Sequence, residues 1–361
     1  MKKRLHIHSS RTDTRPVLIF VTYTGIGDLL MALSLFGTLR SHFHVLPVIP
    51  SSYVDLAQLL YNDGMIEGYL LAEESLRFDR NPFGHVLTCR ALSLLRPSVV
   101  LIYGKLMLAY GARLGLFRAG RVLFCHPRGF APPAARTFEV LTPTGNQTRD
   151  YLQFADRLGV PAVQARVRLT EGLKERLERE AQPLLNWSSY VVVAPWTSDP
   201  RRDAPPRFFR ECIDIIITEG HLPVVVTGLP QHRSAVSGLL SGLSDRWIKD
   251  LVGTTTLQDM LGILGGARFL LTNDGGTLHL SRLVGTQAIV TFGPTAPEQR
   301  LLDPLQELTP LRLGLDCSPC ADTALRYQCP RSYLQCLREL EVSQARSALL
   351  AGCQSAAERV C

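Results

Sequence analysis

Long apolar runs are missing from this sequence of 361 residues. A membrane-spanning helix needs about 18 to 20 uninterrupted apolar residues. Asp28 interrupts the first candidate, and Arg96 and Lys105 bracket the second, so the chain is not expected to thread a bilayer. A secretory leader is not expected either, because the basic start MKKRLHIHSSRTDTRP runs into a strand-like stretch without a small-residue cleavage site. Repeats with a period of roughly 20 to 50 residues and low-complexity tracts are also lacking, which disfavours a solenoid. Aromatic residues are scarce between Arg113, Arg118, Arg121, Arg128 and Arg136. That scarcity speaks against single-stranded nucleic acid, whose bases stack on aromatic rings.

What the chain does contain is ordinary for a globular protein, with 46% hydrophobic and 20% charged residues. Its length suits two domains of roughly 150 to 200 residues each. The net charge of +7 is unevenly placed: residues 1–185 carry 23 Lys and Arg against 15 Asp and Glu, and the remainder 16 against 17. A basic first half suits a phosphorylated ligand or an anionic membrane surface, or is simply a solvated face. No nucleic-acid motif accompanies the charge.

Both halves alternate strand-like and helix-like segments, the pattern of parallel sheets wrapped by helices. VLIFVT, HVLPVI, SVVLIY and RVLFC read as strands of the first half, and YVVVAP, LPVVVTG, RFLLTN and AIVTFG as strands of the second. Pro205 and Pro206 open a helix that Gly220 closes, the usual proline-first, glycine-last punctuation. Further helices are expected from Ser234, over TTLQDMLGILGGA and over TLHLSRLVG. The seam is placed at EREAQPLLNWSS, residues 178–189, giving domains 1–183 and 184–345 with a C-terminal helix in 346–361 that crosses back to the first domain. Two such domains leave a cleft, with ligands at the C-terminal strand edges.

Two turns carry the chemistry. In LLTNDGGTLH, a strand ends at Asn273, and Asp274, Gly275 and Gly276 lead into a helix opening near Thr277. The glycines let a backbone approach a pyrophosphate, and the free N–H groups and dipole of the helix favour its charge. His279 lies in the same first turn and could donate to a phosphate or a sugar hydroxyl; otherwise the segment is a tight turn followed by a satisfied helix histidine. In TGIGDLL, Thr24 to Leu30, the same strand, turn and helix order carries a carboxylate, Asp28. Asp28 is either a helix cap or a proton acceptor.

Nine cysteines without a secretory leader point to thiols or metal ligands ahead of disulfides. Cys317, Cys320, Cys329 and Cys336 are spaced C-x2-C-x8-C-x6-C. Four thiolates can hold structural zinc or iron, although the second pair is wider than in a common zinc ribbon; the alternative is buried or redox-sensitive thiols. Cys89, Cys125, Cys212, Cys353 and Cys361 read as isolated core or surface thiols.

Five segments in order resemble glycosyltransferase family nine, the ADP-heptose:lipopolysaccharide heptosyltransferases: TGIGDLLMALSL, VVVAPWTSDPRRDAPPRFFREC, VVVTGLPQHR, NDGGTLHLSRLVGTQAIVTFGPT and the cysteine-rich end opening with CSPC. The resemblance implies a GT-B fold, two Rossmann-like doubly wound α/β domains facing across a cleft. It also implies an inverting, metal-independent transfer of heptose from ADP-heptose to a lipopolysaccharide-core or related saccharide acceptor. In that reading Asp28 is the base, and Thr197, Arg201, Arg202, Asp274, Gly275, Gly276, Thr277 and His279 bind the donor. The two sets sit on opposite domains, so the cleft closes to join them. The enzyme is then expected in the cytoplasm, peripheral at the inner membrane, with an anionic lipid-linked or saccharide acceptor. Where the family has lysine and tryptophan in the basic loop, this chain has Arg202 and Ala204, and Ser34 stands in place of a proline in the first segment. The rival readings are another GT-B nucleotide-sugar enzyme, such as an epimerase, and a non-catalytic sugar-nucleotide-binding protein.

Overall fold

The structure, a computed structural model, describes residues 6–9, 14–22, 25–72, 92–113, 119–130, 137–162, 167–302, 308–321 and 328–354. Thr24, Arg118, Arg136, Cys89 and Cys361 fall outside them. Two compact units result: residues 1–167 with 300–302, and residues 168–299 with 303–361.

Among the described residues the first unit has seven strands: β1 (His6–Ser9), β2 (Val17–Val21), β3 (His44–Pro50), β4 (Gly68–Ala72), β5 (Val99–Tyr103), β6 (Arg121–Cys125) and β7 (Phe138–Leu141). Its helices are α1 (Ile26–Leu39), α2 (Val54–Asn62), α3 (Leu106–Arg113) and α4 (Gln147–Arg157). The strand order is β1-β4-β3-β2-β5-β6-β7. All pairs are parallel except β1 with β4, which run antiparallel at the edge. Strands buried on both faces read as continuous apolar runs, and β4 and β5 are buried at every position. Ile19, Val100, Ile102, Leu108 and Phe124 form part of the core.

The second unit holds β8 (Val191–Ala194), β9 (Val224–Val226), β10 (Ile248–Asp250), β11 (Leu270–Asn273), β12 (Ala288–Thr291) and β13 (Leu308–Leu311). Its helices are α5 (Glu171–Ala181), α6 (Pro206–Thr218), α7 (Arg233–Leu240), α8 (Leu257–Gly265), α9 (Gly276–Val284), α10 (Gln335–Arg338) and α11 (Val342–Gln354). The sheet is wholly parallel, in the order β10-β9-β8-β11-β12-β13. Thr256 caps α8, its hydroxyl accepting from Asp259 N at 3.1 Å while Asp259 Oδ2 accepts from Thr256 N at 2.8 Å. Gly285, at φ 77°, ends α9 in the left-handed conformation that glycine tolerates best.

From β2 in the first unit and β8 in the second, both sheets thus follow the doubly wound order, in which the chain winds from a central strand to one side, then returns to wind to the other. The reversal falls between β2 and β5 in the first unit and between β8 and β11 in the second. The α/β architecture of two doubly wound units expected from the sequence is present. Among the described residues, no helix is long and apolar enough to cross a membrane.

The units part at residues 167 and 168, before α5 and not at 183 and 184. The reason is close packing of α5 on α8: a Cβ on Gly262 would stand 2.1 Å from the Leu177 carbonyl oxygen, so these helices touch through backbone. Helix α11 belongs to the second unit. Ala345 and Leu349 of α11 are fully buried in one core with Phe209 and Phe269, and Gly352 sits against the Phe269 ring.

Candidate functional site

At the first unit's reversal point, the chain leaves β2 through Thr22 and enters α1 at Gly25, which has no side chain to cap the helix. The third helical residue, Asp28, turns back instead, and its Oδ2 accepts a hydrogen bond from Gly25 N at 3.2 Å. The capping role is therefore real. The other oxygen, Oδ1, accepts from Gln147 Nε2 at 2.6 Å, a contact from the first turn of α4. Gln147 Nε2 also donates to the Tyr151 hydroxyl at 2.5 Å, and that hydroxyl shares a 2.9 Å bond with Thr22 Oγ1. Arg300 Nη1 donates to Gln147 Oε1 at 3.0 Å.

Buried aromatic rings fix this cluster from beneath. Tyr151 is fully buried and meets Phe20 and Tyr103 edge-on, at ring separations of 5.4 and 4.8 Å. Burial pushes its phenol well above the usual tyrosine range; the Asp28 charge adds to this, while Thr22, Gln147 and Arg300 work against it. The phenol therefore stays protonated and acts as a hydrogen-bonding post. Buried Asp150 accepts from Tyr103 Oη at 3.1 Å and from Thr144 N at 2.6 Å, which anchors the loop entering α4.

The second unit's reversal point gathers the other expected residues. After β8, Thr197 Oγ1 donates to the Asp199 carbonyl at 2.8 Å, and Thr197 N donates to Asp203 Oδ1 at 2.9 Å. Burial raises the Asp203 carboxyl above its usual value, more than the Thr197 bonds lower it. Burial also raises Asp199, but bonds from Arg201 and the charges of Arg201 and Arg202 hold it below the usual carboxylate range. Arg201 grips Asp199 through Nε and Nη2, each at 2.8 Å. Arg202 reaches across to the turn, where Nη1 donates to the Asp274 carbonyl at 3.2 Å and stands 3.8 Å from Asp274 Oδ2.

Asn273, fully buried at the end of β11, ties the pieces together. Its Oδ1 accepts from Ala204 N at 3.0 Å and Thr291 Oγ1 at 2.5 Å, and its Nδ2 donates to the Pro195 carbonyl at 2.7 Å. A Cβ on Gly275 would lie 2.9 Å from Thr197 Cγ2, so the β8 loop and the turn meet where only hydrogen fits. Gly275 is the N-cap of α9, where no side chain bonds the helix end, and Gly276 and Thr277 are its first residues. His279 is buried one turn in, its Nδ1 3.4 Å from Arg282 Nη1.

The structure thus unites Thr197, Arg202, Asp274 and Gly275 at the mouth of α9 and turns Arg201 toward Asp199. Gln147, Tyr151, Arg300, Asn273 and Asp203 were not read from sequence. The polar pair Asn146 and Gln147 just ahead of the helical run DYLQF is the one local signal that could have drawn notice to α4.

Of the four clustered cysteines, Cys336 is pushed up to about 11 by burial and then by Cys320, Cys329 and Cys317. Burial opposes ionisation of Cys329, but backbone N–H groups of Leu334, Arg331, Tyr333 and Ser332 hold its thiol below the ordinary range. Even so, among the described residues no three His, Cys, Asp or Glu side chains are gathered closely enough to hold a metal ion. Cys125 and Cys212 are buried, and burial raises both thiols.

The sequence model of Glycosyltransferase family 9 (heptosyltransferase) matches residues 146–329, a span that includes Gln147, the basic loop, the turn at Asp274 and Arg300. Lipopolysaccharide heptosyltransferase 2 of Salmonella typhimurium is 24% identical over 102 residues, covering 27% of this chain and 29% of that protein. The aligned segment is thus under a third of that relative's length. The solved E. coli ADP-heptose lps heptosyltransferase II overlays with a TM-score of 0.66 at 16% identity, covering 94% of this chain and 99% of that one. The dodecameric, iron-containing glycosyltransferase TibC of enterotoxigenic E. coli H10407 gives a TM-score of 0.55 at 15% identity, over 96% of this chain and 77% of that one. With half of its length matched by the family model and both sheets wound in the doubly wound order, the chain belongs to glycosyltransferase family 9.

Proposed function

We propose that the protein transfers a heptose from ADP-heptose to a lipopolysaccharide-core or related saccharide acceptor, with inversion at the anomeric carbon and without a catalytic metal. A hydroxyl oxygen of the acceptor forms a bond to the anomeric carbon as the bond to the phosphate oxygen breaks. The hydroxyl proton passes to Asp28, and the bonding pair leaves with ADP. Such a step needs a carboxylate at the incoming hydroxyl and fixed positive dipoles at the leaving diphosphate.

The observation that carries this reading is that each reversal point holds one of those two things. The first bears Asp28, held through both oxygens. The second bears the α9 N-terminus with no side-chain cap, beside Arg202. In this reading the N–H groups of Gly276 and Thr277 and the Arg202 guanidinium bind the diphosphate, Asp274 and His279 face sugar hydroxyls, and Thr197 shapes the loop. Arginine in place of the family's lysine keeps the charge and adds a two-pronged donor. The basic first half suits an anionic acceptor at the inner face of the membrane, in the cytoplasm.

In this reading Cys317, Cys320, Cys329 and Cys336 take no part in transfer.

The test is ADP release from ADP-heptose with a lipopolysaccharide-core acceptor. The wild type turns over, and Asp28→Asn falls by 100-fold or more, within the roughly 100- to 10,000-fold range of a lost general base. Unchanged turnover in Asp28→Asn removes the base assignment.

A further inference from the structure

A carboxylate that takes a proton must present the right oxygen edge to the incoming hydroxyl, and misplacement by about 1 Å costs rate steeply. In this protein the edge is set by residues far away in sequence. Gln147 could sit either way round: one orientation turns its NH2 group toward Asp28, the other its carbonyl. Arg300 decides, because a guanidinium only donates hydrogen bonds and so the amide atom facing it is the oxygen. With Oε1 held by Arg300 at 3.0 Å, Nε2 must face Asp28 Oδ1 at 2.6 Å and Tyr151 Oη at 2.5 Å. The flipped amide would set an oxygen against the carboxylate.

Arg300 is itself held by the neighbours of Gln147. Asn146 Nδ2 donates to the Leu301 carbonyl at 2.6 Å, and Thr148 Oγ1 donates to the Arg300 carbonyl at 2.5 Å. Three successive residues at the start of α4 therefore divide the work: the outer two clamp the backbone of 300 and 301, and the middle one receives the guanidinium. Asn146, Gln147 and Thr148 are all buried, and residues 300–302 belong to the first unit. A solvated surface cluster has no such arrangement.

We propose that Gln147 and Arg300 are positioning residues for the transfer reaction: Arg300 fixes the Gln147 amide, and Gln147 with Gly25 N fixes the plane of the Asp28 carboxylate. This rests on the reading of Asp28 as the base. Among the described residues, the groups facing that carboxylate include the Gln147 amide and the Tyr151 phenol from α4, the Arg300 guanidinium behind the amide, and Gly25 N at the start of its own helix.

The test uses the full-length protein, ADP-heptose and a lipopolysaccharide-core acceptor, with Asp28→Asn in the same assay. Gln147→Met keeps the shape and loses the donor; kcat falls by about tenfold or more while KM for ADP-heptose stays within about twofold. Gln147→Glu keeps the acceptor for Arg300 but sets a second carboxyl against Asp28, so the two share a proton and the acid limb of the kcat profile moves up by about one pH unit. Arg300→Met reproduces part of the Gln147→Met loss, and Arg300→Lys restores some of it.

A measurement independent of turnover accompanies these. In protein labelled with 13C at aspartate carboxyls, the Asp28 signal, assigned by its loss in Asp28→Asn, titrates at higher pH in Gln147→Met because a donor to the charged form is gone. Full activity in Asp28→Asn overturns the base reading and this proposal with it. An inactive Asp28→Asn beside Gln147 variants with wild-type kcat, pH profile and carboxyl titration overturns the positioning role and leaves the base reading standing. If Gln147→Met does not fold, Gln147→Glu and Arg300→Met decide the matter by the same readings.

Discussion

At residue 275 a side chain is excluded by contact, not by dihedral angle. Its φ of −157° is extended backbone open to most residues, but a Cβ would meet Thr197 Cγ2 at 2.9 Å. Gly275→Ala must therefore push the β8 loop away from the α9 mouth. ADP affinity is expected to fall by about tenfold, or about 1.4 kcal/mol, in titration calorimetry, with the fold intact by circular dichroism. Gly172→Ala on α5, where a Cβ meets nothing within 4 Å, is the control and leaves ADP binding unchanged. Equal affinity in both variants would detach the nucleotide from this turn. The glycine and its aspartate were legible in the sequence because a strand, turn and helix stand next to one another in the chain. Gln147 and Arg300 were not, since they lie 119 and 272 positions beyond Asp28 and no local pattern links residues that only the sheet order brings together. Arg201 and Arg202 looked equivalent as neighbours, yet the turn that Asp199 caps sends one guanidinium back to Asp199 and the other to Asp274.

Elements with a continuous apolar run or a clear cap, such as β5, β8, α6 and α8, were legible, because burial and capping write themselves into consecutive residues. The edge strands were less so. β10 and β13 have three and four residues, and β13 carries Pro310, which an edge strand tolerates. β1 pairs antiparallel with β4 through His6–Ser9, a stretch with no apolar run to announce it. The polar linker after α5 looked like a domain seam, but contacts through Gly262 and Gly265 keep α5 in the second unit. The cysteine-bearing segments are the element whose role the sequence left most open. Because no three of these side chains are gathered closely enough to hold an ion among the described residues, protein purified without chelators is expected to carry less than about 0.1 equivalent of zinc or iron per chain by plasma emission spectrometry. Because structural metals contribute folding free energy, chelation should then leave the melting temperature unchanged. About one equivalent, lost in Cys320→Ser, would instead make the four a structural metal site.

Among the described residues, one core of the first unit gathers around Ile19, Val100 and Phe124 and one of the second around Val193, Phe209 and Leu271. Chains of this kind need not melt in one step, and a ligand that binds one unit stabilises that unit first. If the diphosphate site is the α9 mouth, saturating ADP acts on the second unit. At about 100 times its dissociation constant it adds about 2.7 kcal/mol there. Hydrogen exchange should then slow in residues 191–205 and 270–285, which contain the β8 loop, Asn273 and the start of α9, while residues 17–62 exchange as before. UDP and GDP at the same concentration should protect less, because the proposed donor is an adenosine diphosphate sugar. Protection centred on 17–62 would place the nucleotide beside Asp28 and exchange the roles assigned to the two reversal points. Stronger protection by UDP would keep the site and overturn ADP-heptose as donor. Both outcomes are read from one experiment, since the peptides that slow report where the diphosphate sits and the nucleotide that slows them most reports which base it carries.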